Sequence, residues 1–189
     1  MKKAAAVTEH RSDRNPTPDG TPDRLAIAAS RPDDRAAIGE IVRRSGVFSA
    51  EEEETVYELF DEYVESDDSG YEWLSARVDG ALAGFICFGS TPLTEGGYDL
   101  YWICTDPDWR NRGIGRCLFA AMESSIRKWG GRLVMIWTSG AEAYLPSHRF
   151  YERMGCGLSA TVRDYYRPGE DLLVFVKYLP PRKTKKKTS

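Results

Sequence analysis

The chain has 189 residues, 41% hydrophobic and 12% aromatic, which fits one domain with a single substantial core. Its formal net charge of -3 at pH 7 gives no global attraction to nucleic acid or to an anionic membrane, so any nucleic-acid role would have to be local. No stretch approaches the roughly 18 consecutive apolar residues of a spanning helix, and Met1 to Asp23 lacks the apolar core of a signal peptide, which predicts a soluble, cytoplasmic protein without a membrane partner.

Residues 1–23 mix Lys, Arg, Asp, Thr and Pro with almost nothing large and apolar to bury, and are expected to form a disordered arm. Leu25 to Ala29 reads as a strand, and Pro32-Asp33-Asp34 opens a helix with Ile38, Ile41 and Val42 at helical spacing. A second helix starts at the capping box of Ser49 and Glu52. Its run Glu51 to Glu54 places negative charge at the positive end, and Val56, Leu59, Phe60 and Tyr63 form its buried stripe. Trp73 to Val78 and Leu82 to Phe88 read as strands joined by a hairpin turn at Asp79-Gly80.

Tyr98 to Thr105 is a further strand, a helix runs from Gly113 to Trp129 and stops at Gly130-Gly131, and Leu133 to Trp137 is an almost wholly apolar strand. That is a β-α-β unit with a parallel pair. A short helix over Pro146 to Met154 ends at Gly155, and strands at Leu158 to Tyr165 and Leu172 to Tyr178 flank a turn at Pro168-Gly169. The order β-α-α-β-β-β-α-β-α-β-β predicts a mixed α/β (α+β) fold over 24–180. The basic tail 181–189 reads as solvated, with an anionic-partner patch as the alternative. Cys87, Cys104, Cys117 and Cys156 form no C-x-x-C pair and read as structural thiols.

The segment Arg110-Asn111-Arg112-Gly113-Ile114-Gly115-Arg116 lies between a strand and an amphipathic helix. Helix N-termini present unpaired N–H groups and partial positive charge, and glycine lets a phosphate approach the backbone, so the junction is a candidate diphosphate cradle. Two glycines there could also be a structural turn. Leu118 stands where a dinucleotide fingerprint has its third glycine, and no Lys-Ser/Thr pair follows, so neither a Rossmann site nor a P-loop is supported.

The pattern Arg110-x-x-Gly113-x-Gly115, after a strand ending in Thr105-x-Pro107, resembles the acyl-CoA pyrophosphate motif of the GNAT superfamily of N-acetyltransferases. Phe150-Tyr151-Glu152-Arg153-Met154-Gly155 resembles that family's F/L-Y-x-x-x-G segment. The resemblance covers about Leu25 to Leu179 and implies the GNAT fold with a splayed central strand pair. It implies acetyl-CoA as acyl donor, without a metal, its pyrophosphate held by backbone amides from Arg112 to Arg116 with Arg110 and Arg112 flanking, and its pantetheine arm paired with backbone at Ile103, Cys104 and Thr105. Asn111 and Ile114 belong to the same cradle. Where the family commonly has asparagine and alanine, this chain has Tyr144 and Ser147.

The reaction so implied is acetyl transfer to a primary amine by direct attack in a ternary complex. The amine must lose a proton and the departing thiolate benefits from one. Tyr151 is the candidate acid, since a phenol of ordinary pKa near ~10 is protonated at neutral pH, and it is also a candidate CoA contact, with packing alone as the alternative. Asp99 is the first candidate base, on a strand expected to reach the acceptor cleft, with Glu95 behind it. Tyr101, Tyr165 and Tyr166 are candidate acceptor contacts, and the acidic residues Glu58, Asp61, Glu62, Glu65, Asp67 and Asp68 read as a solvated face, with a negative rim that attracts cationic acceptors as the alternative. His148, on the first turns of a short helix, is expected at the surface, with a second base or acceptor contact as the alternative. The acceptor is either a small amine or amino acid or a protein N-terminus, and an exposed strand edge could mediate a homodimer. The alternative to an enzyme is a non-catalytic acyl-CoA-binding regulatory module.

Overall fold

The computed structural model describes Pro22 and residues 24–180. The remainder of the expected arm and the basic tail lie outside the described residues. β1 (Leu25–Ala29) leads through a 3-10 turn at Pro32–Asp34 into α1 (Arg35–Ser45). α2 (Ala50–Glu65) begins at Ser49, whose side chain accepts from the Glu52 amide while the Glu52 carboxylate accepts from the Ser49 amide. This is the reciprocal cap that the sequence predicts.

β2 (Tyr71–Val78) and β3 (Ala81–Ser90) form a hairpin through Asp79 and Gly80, at φ 50° and 87°, the doubly positive conformation of a type I′ turn. β4 (Gly97–Thr105), α3 (Ile114–Lys128) and β5 (Leu133–Ser139) make the β-α-β unit, and α4 (Leu145–Arg153), β6 (Gly157–Arg167) and β7 (Glu170–Tyr178) complete the chain. The element order is the expected one. The last hairpin is longer than its apolar pattern suggests, because its polar ends continue the ladder to the Arg167–Glu170 pair.

The seven strands form one sheet, β1-β2-β3-β4-β5-β7-β6, antiparallel except for β4 and β5. On one face α1 and α2 bury Ile38, Ile41, Val56 and Phe60 against Trp73, Phe85, Cys87 and Cys104. On the other, α3 packs Leu118, Phe119, Met122 and Ile126 against Ile86, Phe88, Leu100 and Val134. β7 intervenes between β5 and β6, so β6 lies at the rim and every one of its residues is exposed.

Two local features set up the site. The register between β3 and β4 shifts so that Trp102 faces Cys87 while Leu100 faces Phe88, leaving Tyr101 as an extra residue in β4. Such a bulge bends its strand and raises its twist. The β4–β5 pairing accordingly covers only Gly97 to Leu100 against Leu133 to Ile136. Beyond it, β4 stays with β3 and β5 stays with β7, and the two strands diverge. The second feature is Gly84, where a Cβ would lie 2.7 Å from the Cys104 carbonyl and 3.2 Å from the Ile114 side chain. Only glycine lets the start of α3 settle this close to the sheet.

α1 is fastened to the sheet by a buried ion pair. Arg77 of β2 pairs with Asp34, which also accepts from the Arg31 amide and the Ser75 hydroxyl. Burial raises the Asp34 pKa, but the hydrogen bonds from Arg31, Arg77 and Ser75 and the Arg77 charge outweigh it and hold the carboxyl below its ordinary value. The carboxylate therefore stabilises the fold fully above the ordinary Asp pKa of about 4, and that contribution is lost as pH falls through the lowered native value. Replacing Asp34 by Ala strands the Arg77 charge and is expected to cost about 3–5 kcal/mol. Thermal unfolding at pH 7 should show a midpoint lower by about 10 °C. The difference between wild type and Asp34→Ala should narrow below about pH 4.

Candidate acyl-donor and acceptor cleft

Where β4 and β5 part, a cleft of about 1020 Å³ opens, walled by Tyr101 to Thr105 on one side and by Trp137 to Ser139 and α4 on the other. Past Leu100 the β4 edge that faces β5 has no strand partner. Buried backbone donors and acceptors are normally paired, so this edge suits an extended ligand that supplies amide groups. The α1–α2 segment, from Ser45 to Glu52, roofs the far end.

At the other end lies the start of α3. Asn111 and Gly113 take positive φ, 61° and 74°, folding the loop so that it enters the helix without a side-chain cap. The amides of Ile114 and Gly115 then have no intrahelical acceptor, and the helix dipole adds to their positive potential. Gly115 lines the cleft, and a Cβ there would meet only ordinary contacts with Phe150 and Thr105.

The loop is braced from α1. Arg44 bonds Asp106 at 2.7 Å and Asp108 at 2.8 Å, and Arg110 donates to the Ser45 carbonyl at 3.1 Å. Arg110 lines the cleft. Arg112 instead lies over the Trp109 ring, 4.9 Å from its centroid. Ile114 turns its side chain into the core, and Arg116 follows on the first turn of α3. Of the residues expected to hold acetyl-CoA, Ile103, Cys104 and Thr105 for the pantetheine arm and Arg110 and Gly115 for the diphosphate line the cleft, while Asn111 and Gly113 shape the backbone behind it.

Tyr151 lines the same cleft from α4 and is buried against Phe150 and Phe175. Burial, with smaller contributions from Cys156 and Cys104, pushes its phenol well above the ordinary range. Its hydroxyl makes no hydrogen bond among the described residues. His148 is not a surface residue. It is 7% exposed, its Nε2 bonds the Ser139 carbonyl at 2.8 Å, and its ring lies against Phe175. The reason is helical spacing: His148 lies three residues before Tyr151 and shares its inward face.

Asp99 is not brought into the cleft. It sits in the stretch of β4 that is still paired on both sides, opposite Gly89 and Met135, and accepts a hydrogen bond from Thr91 at 2.6 Å. Glu95 lies in the β3–β4 loop, its carbonyl bonded by Arg132. Tyr101 does line the cleft, in edge contact with Tyr71, its phenol pushed up to about 12 by burial and by nearby Asp99. Tyr166 lines it too, whereas Tyr165, ring to ring with Tyr166 at 5.0 Å, stays outside. Glu58, Glu62, Glu65, Asp67 and Asp68 are exposed and outside the cleft, and Asp61 pairs with Arg35.

Glu52 and Trp137 also line the wall, although the sequence marks them only as a helix cap and a strand residue, and so do Tyr144, which stands at the family's asparagine position, and Glu170, in the connection between the last two strands. The Tyr144 hydroxyl donates to Glu52 at 3.0 Å, and the Ser139 hydroxyl donates to Glu170 at 2.6 Å. Glu170 also pairs with Arg167, and these contacts hold its carboxyl below the ordinary range, the Ser139 bond most of all. For Glu52 the capping role hid the second one. For Trp137, a large apolar residue at the end of a buried-looking strand, the 53% exposure follows from the divergence of β4, which no local pattern announces. Among the described residues no group of three or more His, Cys, Asp or Glu could hold a metal ion, and no helix is long and apolar enough to cross a membrane.

Comparison with known proteins agrees with this architecture. The family model for the acetyltransferase (GNAT) family matches residues 35–156. A GNAT-family protein from Desulfovibrio desulfuricans is 37% identical, with a TM-score of 0.78 over 82% of this chain and 98% of its own. The ribosomal-protein-S18-alanine N-acetyltransferase of Escherichia coli is 19% identical, with a TM-score of 0.66 over 85% of this chain and 98% of its own. The PaiA N-acetyltransferase of Thermoplasma acidophilum, solved with coenzyme A, is 21% identical, with a TM-score of 0.65 over 82% and 99%. At such identities the last two share the fold alone. No curated protein matches the sequence significantly. With a family model spanning well over half of its length and the strand divergence, glycine junction and α4 tyrosine in one cleft, the chain belongs to the GNAT family of acetyltransferases.

Proposed function

We propose that the cleft binds acetyl-CoA and that the protein passes its acetyl group to a primary amine by direct attack while both are bound. The observation that carries this reading is the continuity of three features in one cleft: the unpaired β4 edge, the glycine-lined start of α3, and Tyr151 between them. The donor set fits. The α3 amides at Ile114 and Gly115, with Arg110, meet the diphosphate, and the β4 backbone from Ile103 to Thr105 meets the amides of the pantetheine arm.

The bound thioester supplies the activated acyl group, and the residues of the chain supply proximity and proton handling. Tyr151 donates a proton to the departing sulfur. Because burial raises its pKa, it stays protonated across the whole neutral range, and its deprotonation does not limit activity below strongly alkaline pH. The acceptor is a small amine or amino acid or a protein N-terminus. The Escherichia coli neighbour is named for a protein alanine and the Thermoplasma one is solved with coenzyme A, which supports the donor and leaves both acceptor classes in play.

Calorimetric titration of the folded protein with acetyl-CoA is the direct test, and an absence of binding would overturn the reading. Gly115→Glu should weaken binding on the order of 100-fold, about 2.7 kcal/mol, by placing a carboxylate where the diphosphate is to sit. Gly115 is a better probe than Gly113, whose φ of 74° strains any side chain. Tyr151→Phe should keep the acetyl-CoA affinity and lower kcat about 100-fold or more, read as thiol release. Binding without transfer to any amine would favour a regulatory acyl-CoA-binding module instead.

A further inference from the structure

We infer that the acceptor is a small cationic amine without a carboxylate beside it, and that Glu52 is the group that anchors it and takes up its proton. This rests on the acetyl-CoA reading above.

Glu52 opens α2 in a row of four carboxylates, Glu51 to Glu54, and among these it is the one that lines the cleft. One oxygen caps the helix by accepting from the Ser49 amide at 2.8 Å. The other is 3.0 Å from the Tyr144 hydroxyl, contributed by the opposite wall and 92 residues away in sequence. A helix cap needs no such partner. The Glu52–Tyr144 bond joins two lining residues of the cleft, one at the start of α2 and one just before α4, and such a cross-link leaves less room for an extended chain than for a small molecule.

The charge and chemistry behind that bridge favour a cation. Glu52 has no ion-pair partner among the described residues, whereas Glu170 is matched by Arg167 at 2.6 Å. Two carboxylates therefore face one guanidinium at this end, and that guanidinium is already engaged. An incoming ammonium finds a free counter-ion, and a carboxylate on the acceptor finds none. The walls add Phe48, Trp102, Trp137 and Tyr166, whose ring faces attract an alkylammonium.

The proton balance is simple. The ammonium nitrogen gives one proton to Glu52, which passes it to solvent, and its freed electron pair forms the bond to the acetyl carbon. The carbon–sulfur bond breaks, Tyr151 protonates the sulfur, and the second proton lost from nitrogen restores Tyr151 through water. Of two protons leaving nitrogen, one ends on the thiol and one in solvent.

Glutamine also completes a capping box, so Glu52→Gln removes the charge and keeps the helix start. Acceptors would be 1,4-diaminobutane, 2-phenylethylamine, alanine and an alanyl tripeptide with a free N-terminus, with acetyl-CoA affinity measured in parallel by calorimetry. The expected result is that wild type prefers the first two by at least about tenfold in kcat/KM. Glu52→Gln should lower kcat/KM for them on the order of 100-fold with acetyl-CoA affinity within about twofold of wild type. Tyr144→Phe should show a smaller loss in the same direction. With acetyl-CoA bound, a preference for alanine or the tripeptide, turnover of none of the four, or full activity of Glu52→Gln would each overturn the inference and leave the donor reading standing. Failure of wild type to bind acetyl-CoA would instead remove the reading beneath it.

Discussion

The site depends on a sheet that is prevented from closing. Four residue pairs join β4 to β5, and then the extra residue at Tyr101 turns β4 away. A continuous parallel ladder would have satisfied the backbone groups from Tyr101 to Thr105 internally and left nothing to recognise. Their exposure is an energetic cost that the fold tolerates because the surrounding core, from Trp73 and Phe60 on one face to Phe119 and Met122 on the other, is well buried.

The divergence creates a slot, and separate devices equip its two ends. Gly84 lets α3 descend onto the sheet beside Cys104, which aims the helix start along the slot. Arg44 and Arg110 tie the loop before α3 to the end of α1. The same α1 end continues into the Ser45–Ser49 segment that roofs the acceptor end. One short stretch of chain is therefore a wall of both subsites, and a shift of α1 would be felt by donor and acceptor together. The buried Asp34–Arg77 pair at the other end of α1 limits such shifts.

Much of this was legible in the sequence, because its signals are local. The Ser49/Glu52 cap, the Asp79-Gly80 turn and the stop at Gly130-Gly131 each act within a few residues, and the helices and strands begin and end near them. Arg110, Gly113, Gly115 and Tyr151 were found because their spacing repeats a family pattern. What was not legible depends on pairing across long separations. Asp99 reads as a strand residue pointing toward the acceptor, but the ladder stays closed at its level and opens two residues later. His148 looks like a polar residue on a short helix until Tyr151, one turn on, fixes which face is inward. Glu52 and Tyr144 come together only because α2 and the segment before α4 stand on opposite sides of the slot.

The bulge at Tyr101 also decides how β4 is read by the two cores. Before it, Tyr98 and Leu100 face α3, whereas after it Ile103 takes that face and Trp102 and Cys104 join the α1–α2 side. Side chains on a strand alternate with a period of two, so one extra residue inverts their assignment. Deleting Tyr101 would thus remove the one residue between Tyr98 and Thr105 that has no partner on β3 and restore a regular ladder. Trp102, Ile103 and Cys104 would keep their present cores and their partners on β3, yet the strand would regain the straightness that seals the slot.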